Sequence, residues 1–205
     1  CINATLAWVL PIPVSVPVMY RPLSGNREFT SRTFISPKIP QKESDMFTPS
    51  TLSGGKAEQY QQLIAQCQAL LQGERHRIAK AANLSALLFN SLPDLNWLGF
   101  YFLEQGELVV GPFQGLPACV RIALGKGVCG TAALTRETQL VADVHAFEGH
   151  IACDSASQSE LVVPLIQNGE LIGVLDIDSP LLDRFDAEDQ VAFERIAELF
   201  CQGSD

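Results

Sequence analysis

Three cysteines in the middle of the chain stand in segments with little regular pattern: Cys119, Cys129 and Cys153. Cys153 has the most polar surroundings, because it lies in the run HIACDSASQSE just before an apolar segment begins at Leu161. A pair of thiols that share a pocket can carry out thiol–disulfide chemistry, in which one thiolate attacks and the other thiol resolves the product. Because all three cysteines fall in loops or at strand ends beside the acidic residues described next, we expect them to face one pocket, where such chemistry would be possible.

Three acidic residues follow them, Glu160, Asp176 and Asp178. Asp176 and Asp178 are two positions apart, so in a strand both point to the same face as Ile172 and Val174. Glu160 opens the preceding strand, which a hairpin would pair with the end of the next. If the three carboxylates converge, repulsion raises at least one pKa and leaves an acid able to donate a proton. The alternative is that they lie at a solvated strand end.

The segment GKGVCG places glycines at Gly125, Gly127 and Gly130 and matches a dinucleotide-binding pattern. The helix that follows is too short for that fold, and the expected acidic residue about twenty positions later is missing. Two interpretations remain: a small-anion site made by backbone N–H groups ahead of a helix, or a tight turn.

His145, His150 and Cys153 have a spacing that could bind zinc. No further cysteine or histidine pair stands at a usual structural spacing, so we favour His150 as a hydrogen-bonded loop residue. No metal and no cofactor are expected.

Composition favours one domain with one core, since 47% of the 205 residues are hydrophobic and 18% are charged. Residues 1–45 hold five basic and three acidic side chains, a net charge of +2, which leaves −11 for residues 46–205. So acidic a body repels phosphate backbones and argues against a nucleic-acid partner. Six cysteines are too few for a disulfide scaffold, so a reducing, cytoplasmic location is expected.

The first 45 residues differ from the rest, because they contain six of the twelve prolines and show no periodic pattern. Prolines interrupt their one apolar run, LAWVLPIPVSVPV, which excludes a membrane-spanning helix. We expect residues 1–45 to be an extension that is disordered or outside the native fold, and residues 46–205 to form the catalytic domain.

Hydrophobic periodicity and turn signals predict an α+β domain with a mainly antiparallel sheet of six strands. Helices should cover one face of the sheet, and loops should close a ligand pocket on the other. The predicted helices lie at 56–72, 74–92, 131–137 and 186–201, and the predicted strands at 97–103, 107–113, 119–124, 139–142, 161–166 and 171–178.

Five segments together resemble the free methionine-(R)-sulfoxide reductases, which have a GAF fold. The resemblance covers roughly residues 53–205. The segments are NWLGFY (96–101), PACVRI (117–122), GVCGTA (127–132), DVHAFEGHIACDSASQSELVVP (143–164) and GVLDIDS (173–179).

The resemblance implies that the protein reduces free methionine (R)-sulfoxide to methionine with electrons from thioredoxin, as a defence against oxidative stress. It implies that Cys153 is the nucleophile and that Cys119 resolves. Cys129 is a second, partly interchangeable partner, and the resemblance leaves open which of Cys153 and Cys129 attacks first.

The resemblance also assigns the substrate contacts. Trp97 and Tyr101 would enclose the S-methyl group, while Glu160, Asp176 and Asp178 would hold the substrate, with Glu160 and Asp178 also assisting proton transfer. A homodimer is left open. The competing hypothesis is a non-catalytic GAF module that senses a small ligand or redox state.

Overall fold

A computed structural model describes residues 47–149 and 155–203. The predicted extension, residues 1–45, lies outside the described residues and stays a prediction. No helix in the described ranges is both long and apolar enough to span a membrane. The helices are α1 Lys56–Leu71, α2 Arg77–Ser91, α3 Gly127–Thr135 and α4 Ala187–Cys201, and the strands are β1 Trp97–Glu104, β2 Glu107–Gly115, β3 Arg121–Ala123, β4 Gln139–Val141, β5 Ser159–Gln167 and β6 Glu170–Ser179.

These strands form one sheet in the order β3-β2-β1-β6-β5-β4, and each neighbouring pair is antiparallel. Two-residue turns close its hairpins at Gln105–Gly106 and Asn168–Gly169, where all four φ angles are positive. Two successive positive φ values suit the right-handed twist of the flanking strands. The sheet is thus the predicted one, with β1 and β6 at its centre.

Strand β1 separates the two faces of the sheet. Leu98, Phe100 and Phe102 pack with α1, α2 and α4 in one apolar core. Trp97 and Tyr101 point the other way, into a second cluster that includes α3. This alternation follows from the two-residue period of a strand and places three helices on one face, as predicted.

Helix α3 begins at Gly127, four residues before the predicted helix at 131–137. The glycines of this segment therefore do not merely precede the helix, because Gly130 lies inside it. A Cβ on Gly130 would approach the Ala123 carbonyl oxygen to 2.4 Å. Close packing of α3 against β3 thus overrides the low helix propensity of glycine, and it puts Cys129 in the first turn of α3.

Two other boundaries or orientations differ from the predictions. Helix α2 begins at Arg77 and not near Glu74, because the Glu74 carboxylate accepts hydrogen bonds from the following backbone N–H groups. Ile172 packs with the helix-side core, whereas Val174 lies on the opposite face. A register shift after Leu165 in the β5–β6 pairing breaks the simple alternation at this point.

A buried aspartate joins α4 to α1. The Asp189 side chain is fully buried and accepts hydrogen bonds from Lys56 Nζ at 2.6 Å and Arg184 at 3.3 Å. The Tyr60 hydroxyl also donates to it. Asp189 accepts from the Asp186 N–H as well, which completes the capping box expected at the start of α4.

Replacing Asp189 with alanine should lower the free energy of unfolding by about 1–3 kcal/mol, because the buried Tyr60 hydroxyl, the mostly buried Arg184 and the partly exposed Lys56 lose their shared acceptor. Urea denaturation at neutral pH measures this change. Glu188→Ala, at the exposed neighbour, should cost less than about 1 kcal/mol. Equal losses in the two variants would contradict a structural role for the buried carboxylate.

Candidate active site

The side chains of the candidate site stand on three adjacent strands. Asp178 of β6 is paired with Trp97 of β1 on one side and with Glu160 of β5 on the other. Two residues along β6, Asp176 is paired with Gly99 of β1. Positions two apart share a face, so these residues form two rows across the sheet, on the face away from α1, α2 and α4.

Glu160 and Asp176 come together below the first turn of α3. Each is only 6% exposed, and Cys129 above them is 5% exposed. The Cys129 thiol lies 3.9 Å from Glu160 Oε1, a distance at which it can donate a weak hydrogen bond. One carboxylate oxygen from each acid and the Cys129 sulfur lie within 4.8 Å of one another. Asp178 is half-buried beside this group.

Burial shifts the proton equilibria of both acids. It raises the pKa of Asp176 to about 6, although contacts with Cys129 and Glu160 partly oppose the rise. Burial also raises the pKa of Glu160 well above its usual range, and the charges of Asp176 and Asp178 raise it further. Within the described chain neither Glu160 nor Asp176 takes part in an ion pair. A proton is therefore retained on this pair near neutral pH.

The same surroundings keep Cys129 protonated. Burial raises the pKa of its thiol well above 9.0, and the carboxylates of Asp176 and Glu160 raise it further. A thiolate is the nucleophilic form of cysteine. In this state Cys129 is a proton-bearing neighbour of the acids and a poor nucleophile.

Two aromatic side chains line the site beside the acids. Trp97 and Tyr101 are 2% and 1% exposed, and their rings stack at a centroid distance of 5.8 Å. Phe113 of β2 also stacks with Trp97, at a centroid distance of 5.2 Å. The indole N–H donates to the Leu116 carbonyl at 3.1 Å, and the Tyr101 hydroxyl donates to the Cys119 carbonyl at 3.2 Å. The aromatic wall thus fixes the loop that carries Cys119.

Sequence reasoning missed the part that Gly99 and Phe113 play in this wall. A Cβ on Gly99 would come within 2.3 Å of Phe113 Cβ and 2.7 Å of the Trp97 ring. The absence of a side chain at Gly99 therefore lets the indole lie flat against the sheet. A glycine inside an otherwise aromatic strand, as in WLGFY, was the available signal for such a close approach.

The described cysteines fall into two groups. Cys119 is half-buried in the loop between β2 and β3 and is disulfide-bonded. Cys67, Cys129 and Cys201 are free thiols. Burial raises the pKa of Cys67 to about 12 and that of Cys201 to about 11, and both pack in the helix-side core. Those two are small apolar residues of that core.

Cys153 and His150 lie outside the described residues, so the predicted nucleophile and the loop histidine stay predictions. His145 is exposed, and its backbone N–H donates to the Asp143 carboxylate at 2.9 Å. Among the described residues, the ligand atoms that converge closely enough for a metal are those of Cys129, Glu160 and Asp176. The alternative zinc ligands, His145, His150 and Cys153, include two residues outside the described ranges, so this alternative is not tested.

The glycine-rich segment ahead of α3 forms a tight turn. The Gly125 N–H donates to the Gly130 carbonyl at 2.7 Å, and the Lys126 N–H donates to the Ala123 carbonyl at 3.1 Å. Positive φ angles at Gly125 and Gly127 explain the glycines there. Because these two N–H groups are used within the turn, they do not serve an anion, and the turn interpretation is favoured.

Comparisons with known proteins found a matching family model and several similar proteins. A GAF-domain family model matches residues 83–201. Protein YtsP of Bacillus subtilis is 54% identical over 155 residues, which cover 75% of this chain and 95% of that protein. The free methionine-R-sulfoxide reductase of Escherichia coli is 52% identical over 141 residues, which cover 69% of this chain and 86% of that protein.

A solved structure shares both the fold and the sequence. The free methionine-R-sulfoxide reductase of Neisseria meningitidis, in complex with its substrate, superposes with a TM-score of 0.74 at 39% identity. The match covers 77% of this chain and 95% of that one. The chain therefore belongs to the GAF-domain family and, within it, to the free methionine-(R)-sulfoxide reductases.

Proposed function

We propose that the protein reduces free L-methionine (R)-sulfoxide to L-methionine. Its relatives in Escherichia coli and Neisseria meningitidis carry the corresponding name. The observation that carries the proposal is the buried pair Glu160–Asp176, which has no basic partner among the described residues and lies beside an aromatic wall and a thiol. Each part of this arrangement has a use in the reaction.

The acid pair suits the ammonium group of a free amino acid. Asp176 Oδ1 is buried and lacks a hydrogen-bond partner among the described residues, so it is available as an acceptor. Asp178, half-buried in the adjacent row, extends the negative surface. A cationic ligand would offset the unfavourable burial of these charges. A methionine within a peptide lacks that ammonium, so the same carboxylates select the free amino acid.

The aromatic wall suits the other end of the substrate. Trp97 and Tyr101 form an apolar aromatic wall on β1, next to the strand that carries Asp176 and Asp178. The methyl group on the sulfoxide sulfur packs well against such a wall, since sulfur-bearing groups interact favourably with aromatic rings. Held between wall and acids, the pyramidal sulfur of only one epimer would expose its electrophilic side to the attacking thiolate, which accounts for the selectivity.

The reaction needs a sulfur nucleophile and an acid at one place. The thiolate of Cys153 attacks the sulfoxide sulfur, and the oxygen takes a proton from Glu160, whose raised pKa keeps it neutral. Transfer of the oxygen gives methionine and a sulfenic acid on Cys153. The thiol of Cys119 then displaces that oxygen as water, and a disulfide forms.

Two observations support Cys153 over Cys129 as the nucleophile. The raised pKa of the Cys129 thiol makes its thiolate scarce. Cys119 is disulfide-bonded while Cys129 remains free, which supports Cys153 as the partner of Cys119. Cys129 would then contribute a protonated thiol beside Glu160.

Turnover requires a dithiol that reduces the disulfide, and we assign this role to thioredoxin in the cytoplasm. Thioredoxin supplies two electrons and two protons per cycle by thiol–disulfide exchange. The loop that carries Cys119 is exposed at both ends, at Leu116 and Val120. This exposure would leave the Cys119 disulfide within reach of a protein reductant.

Epimer-resolved turnover tests the function. With thioredoxin, its reductase and NADPH, the full chain should reduce free methionine (R)-sulfoxide, because only this epimer presents its sulfur to the nucleophile while its ammonium occupies the acids. NADPH consumption should fall at least 100-fold with the S epimer or with an N-acetylated substrate. Binding of the R epimer without turnover would instead favour a sensing module.

Cysteine variants separate the attacking thiol from the resolving one. Cys119→Ser should form one equivalent of methionine per chain in a single turnover but lose thioredoxin-driven cycling, because the sulfenic acid lacks its partner. Cys153→Ser should form none. Cys201→Ala, at a free thiol in the helix-side core, is the matched control and should cycle normally. Methionine formation by Cys153→Ser would refute the assignment of the nucleophile.

Asp176→Asn should raise the free energy of unfolding of the ligand-free protein at pH 8 by up to about 3 kcal/mol. The ionised Asp176 carboxylate is unfavourable in the folded state, and a pKa raised from 3.8 to about 6 corresponds to a free-energy cost of that size. The native state holds this proton more tightly than the unfolded state, so the stability that the proton provides is present below about pH 4 and lost as the pH rises through about 6. Urea unfolding at pH 4 should therefore show little difference between variant and wild type. A variant less stable at pH 8 would contradict the burial argument.

A further inference from the structure

We propose that the reduced protein binds one soft divalent cation, such as Zn²⁺, Cd²⁺ or Co²⁺, at Cys129, Glu160 and Asp176, and that this cation and the substrate exclude each other. The binding half stands on the geometry of the three side chains alone. The exclusion half rests on the proposed function, since it requires that the substrate ammonium occupy the same carboxylates.

The three ligands are already close to a coordination geometry. Their sulfur and oxygen atoms lie within 4.8 Å of one another, and the Cys129 to Glu160 distance is 3.9 Å. Tetrahedral Zn²⁺, with bonds of about 2.3 Å to sulfur and about 2.1 Å to oxygen, separates its ligand atoms by about 3.6 Å. A small inward movement of the side chains would complete three bonds, and the fourth position would be left for water.

A second observation points to a ligand at this place. Asp176 Oδ1 is buried without a hydrogen-bond partner among the described residues, on a side chain that is only 6% exposed. Neither Asp176 nor Glu160 forms an ion pair within the described chain. An unpartnered oxygen next to a thiol and a second acid offers three donor atoms to one cation.

The chemistry of the donors selects the kind of metal. A thiolate with two carboxylates suits borderline-soft cations, whereas Mg²⁺ and Ca²⁺ require six or more oxygen ligands. Binding of Zn²⁺ in place of protons would also turn three potential negative charges into a net charge of −1. The cation would occupy the carboxylates that the substrate ammonium needs, so it would compete with the substrate for the reduced site.

Cobalt provides a direct reading of this site. After reduction and anaerobic removal of the reductant, the full chain is titrated with Co²⁺, and the near-ultraviolet thiolate-to-cobalt charge-transfer band is recorded. We expect one equivalent to bind, and we expect Mg²⁺ in large excess not to displace it. Cys129→Ser should lose the band, and Asp176→Asn, which retains the thiol, should bind at least 10-fold more weakly.

Cys201→Ala, at another buried free thiol, is the control and should keep the band, and far-ultraviolet circular dichroism verifies that each variant is folded. A band that persists in Cys129→Ser overturns the proposed site. A band that is lost in Cys153→Ser but kept in Cys129→Ser overturns it as well, because the cobalt would then be bound to the loop cysteine.

The exclusion half is tested on Cys153→Ser, in which the substrate is not consumed. Adding free methionine (R)-sulfoxide should bleach the cobalt band, and a band unchanged at saturating sulfoxide overturns mutual exclusion. The two proposals fail separately. A protein that cycles sulfoxide but binds no Co²⁺ refutes only the cation site, and one that binds Co²⁺ but cannot cycle sulfoxide refutes only the function.

Discussion

The site depends on one electrostatic constraint, the burial of two carboxyl groups side by side with no basic residue paired to them in the described chain. Glu160 and Asp176 are almost fully enclosed, and an enclosed carboxylate is costly unless a proton or a cation neutralises it. A proton retained on the pair meets part of that demand. Under the proposed function, the substrate ammonium at Asp176 would meet the rest while Glu160 keeps its proton for the sulfoxide oxygen. One pair of residues would then serve both as the proton donor and as the binding site for a cationic group.

The fold divides the work between rigid and adaptable elements. The acids and the Trp97–Tyr101 wall stand on three neighbouring strands, in which β6 pairs with β1 on one side and with β5 on the other over most of its length. On the opposite face three helices pack into one core, and this packing stabilises a sheet that buries charge. The described cysteines of the site stand outside the strands, Cys119 in a loop and Cys129 in α3. Under the proposed function, the strands would therefore position the ligand, and a loop and a short helix would carry the cysteines.

Much of this arrangement could be predicted from local pattern. The two-residue period placed Asp176 and Asp178 on one face, and the Asn168–Gly169 turn paired their strand with that of Glu160. What failed depended on contacts between distant segments. The start of α3 is set by the approach of Gly130 to the Ala123 carbonyl. The residues next to Gly130 in the sequence give no sign of that contact. The degree of burial, which decides how far a pKa moves, likewise emerges only when the layers pack.

The glycine at the centre of the aromatic wall limits how this pocket could evolve. Any mutation at Gly99 adds at least a methyl group, which would meet Phe113 Cβ at 2.3 Å and its backbone Cα at 2.8 Å. The register of β1 and β2 is regular from Trp97 to Gly99 and shifts between Gly99 and Tyr101, so a side chain at Gly99 would disturb the last regular pair before this irregularity. A new ligand preference therefore could not begin with a substitution at Gly99. Innovation would have to begin in the connecting segments above it, where insertions and exchanges leave the strands undisturbed.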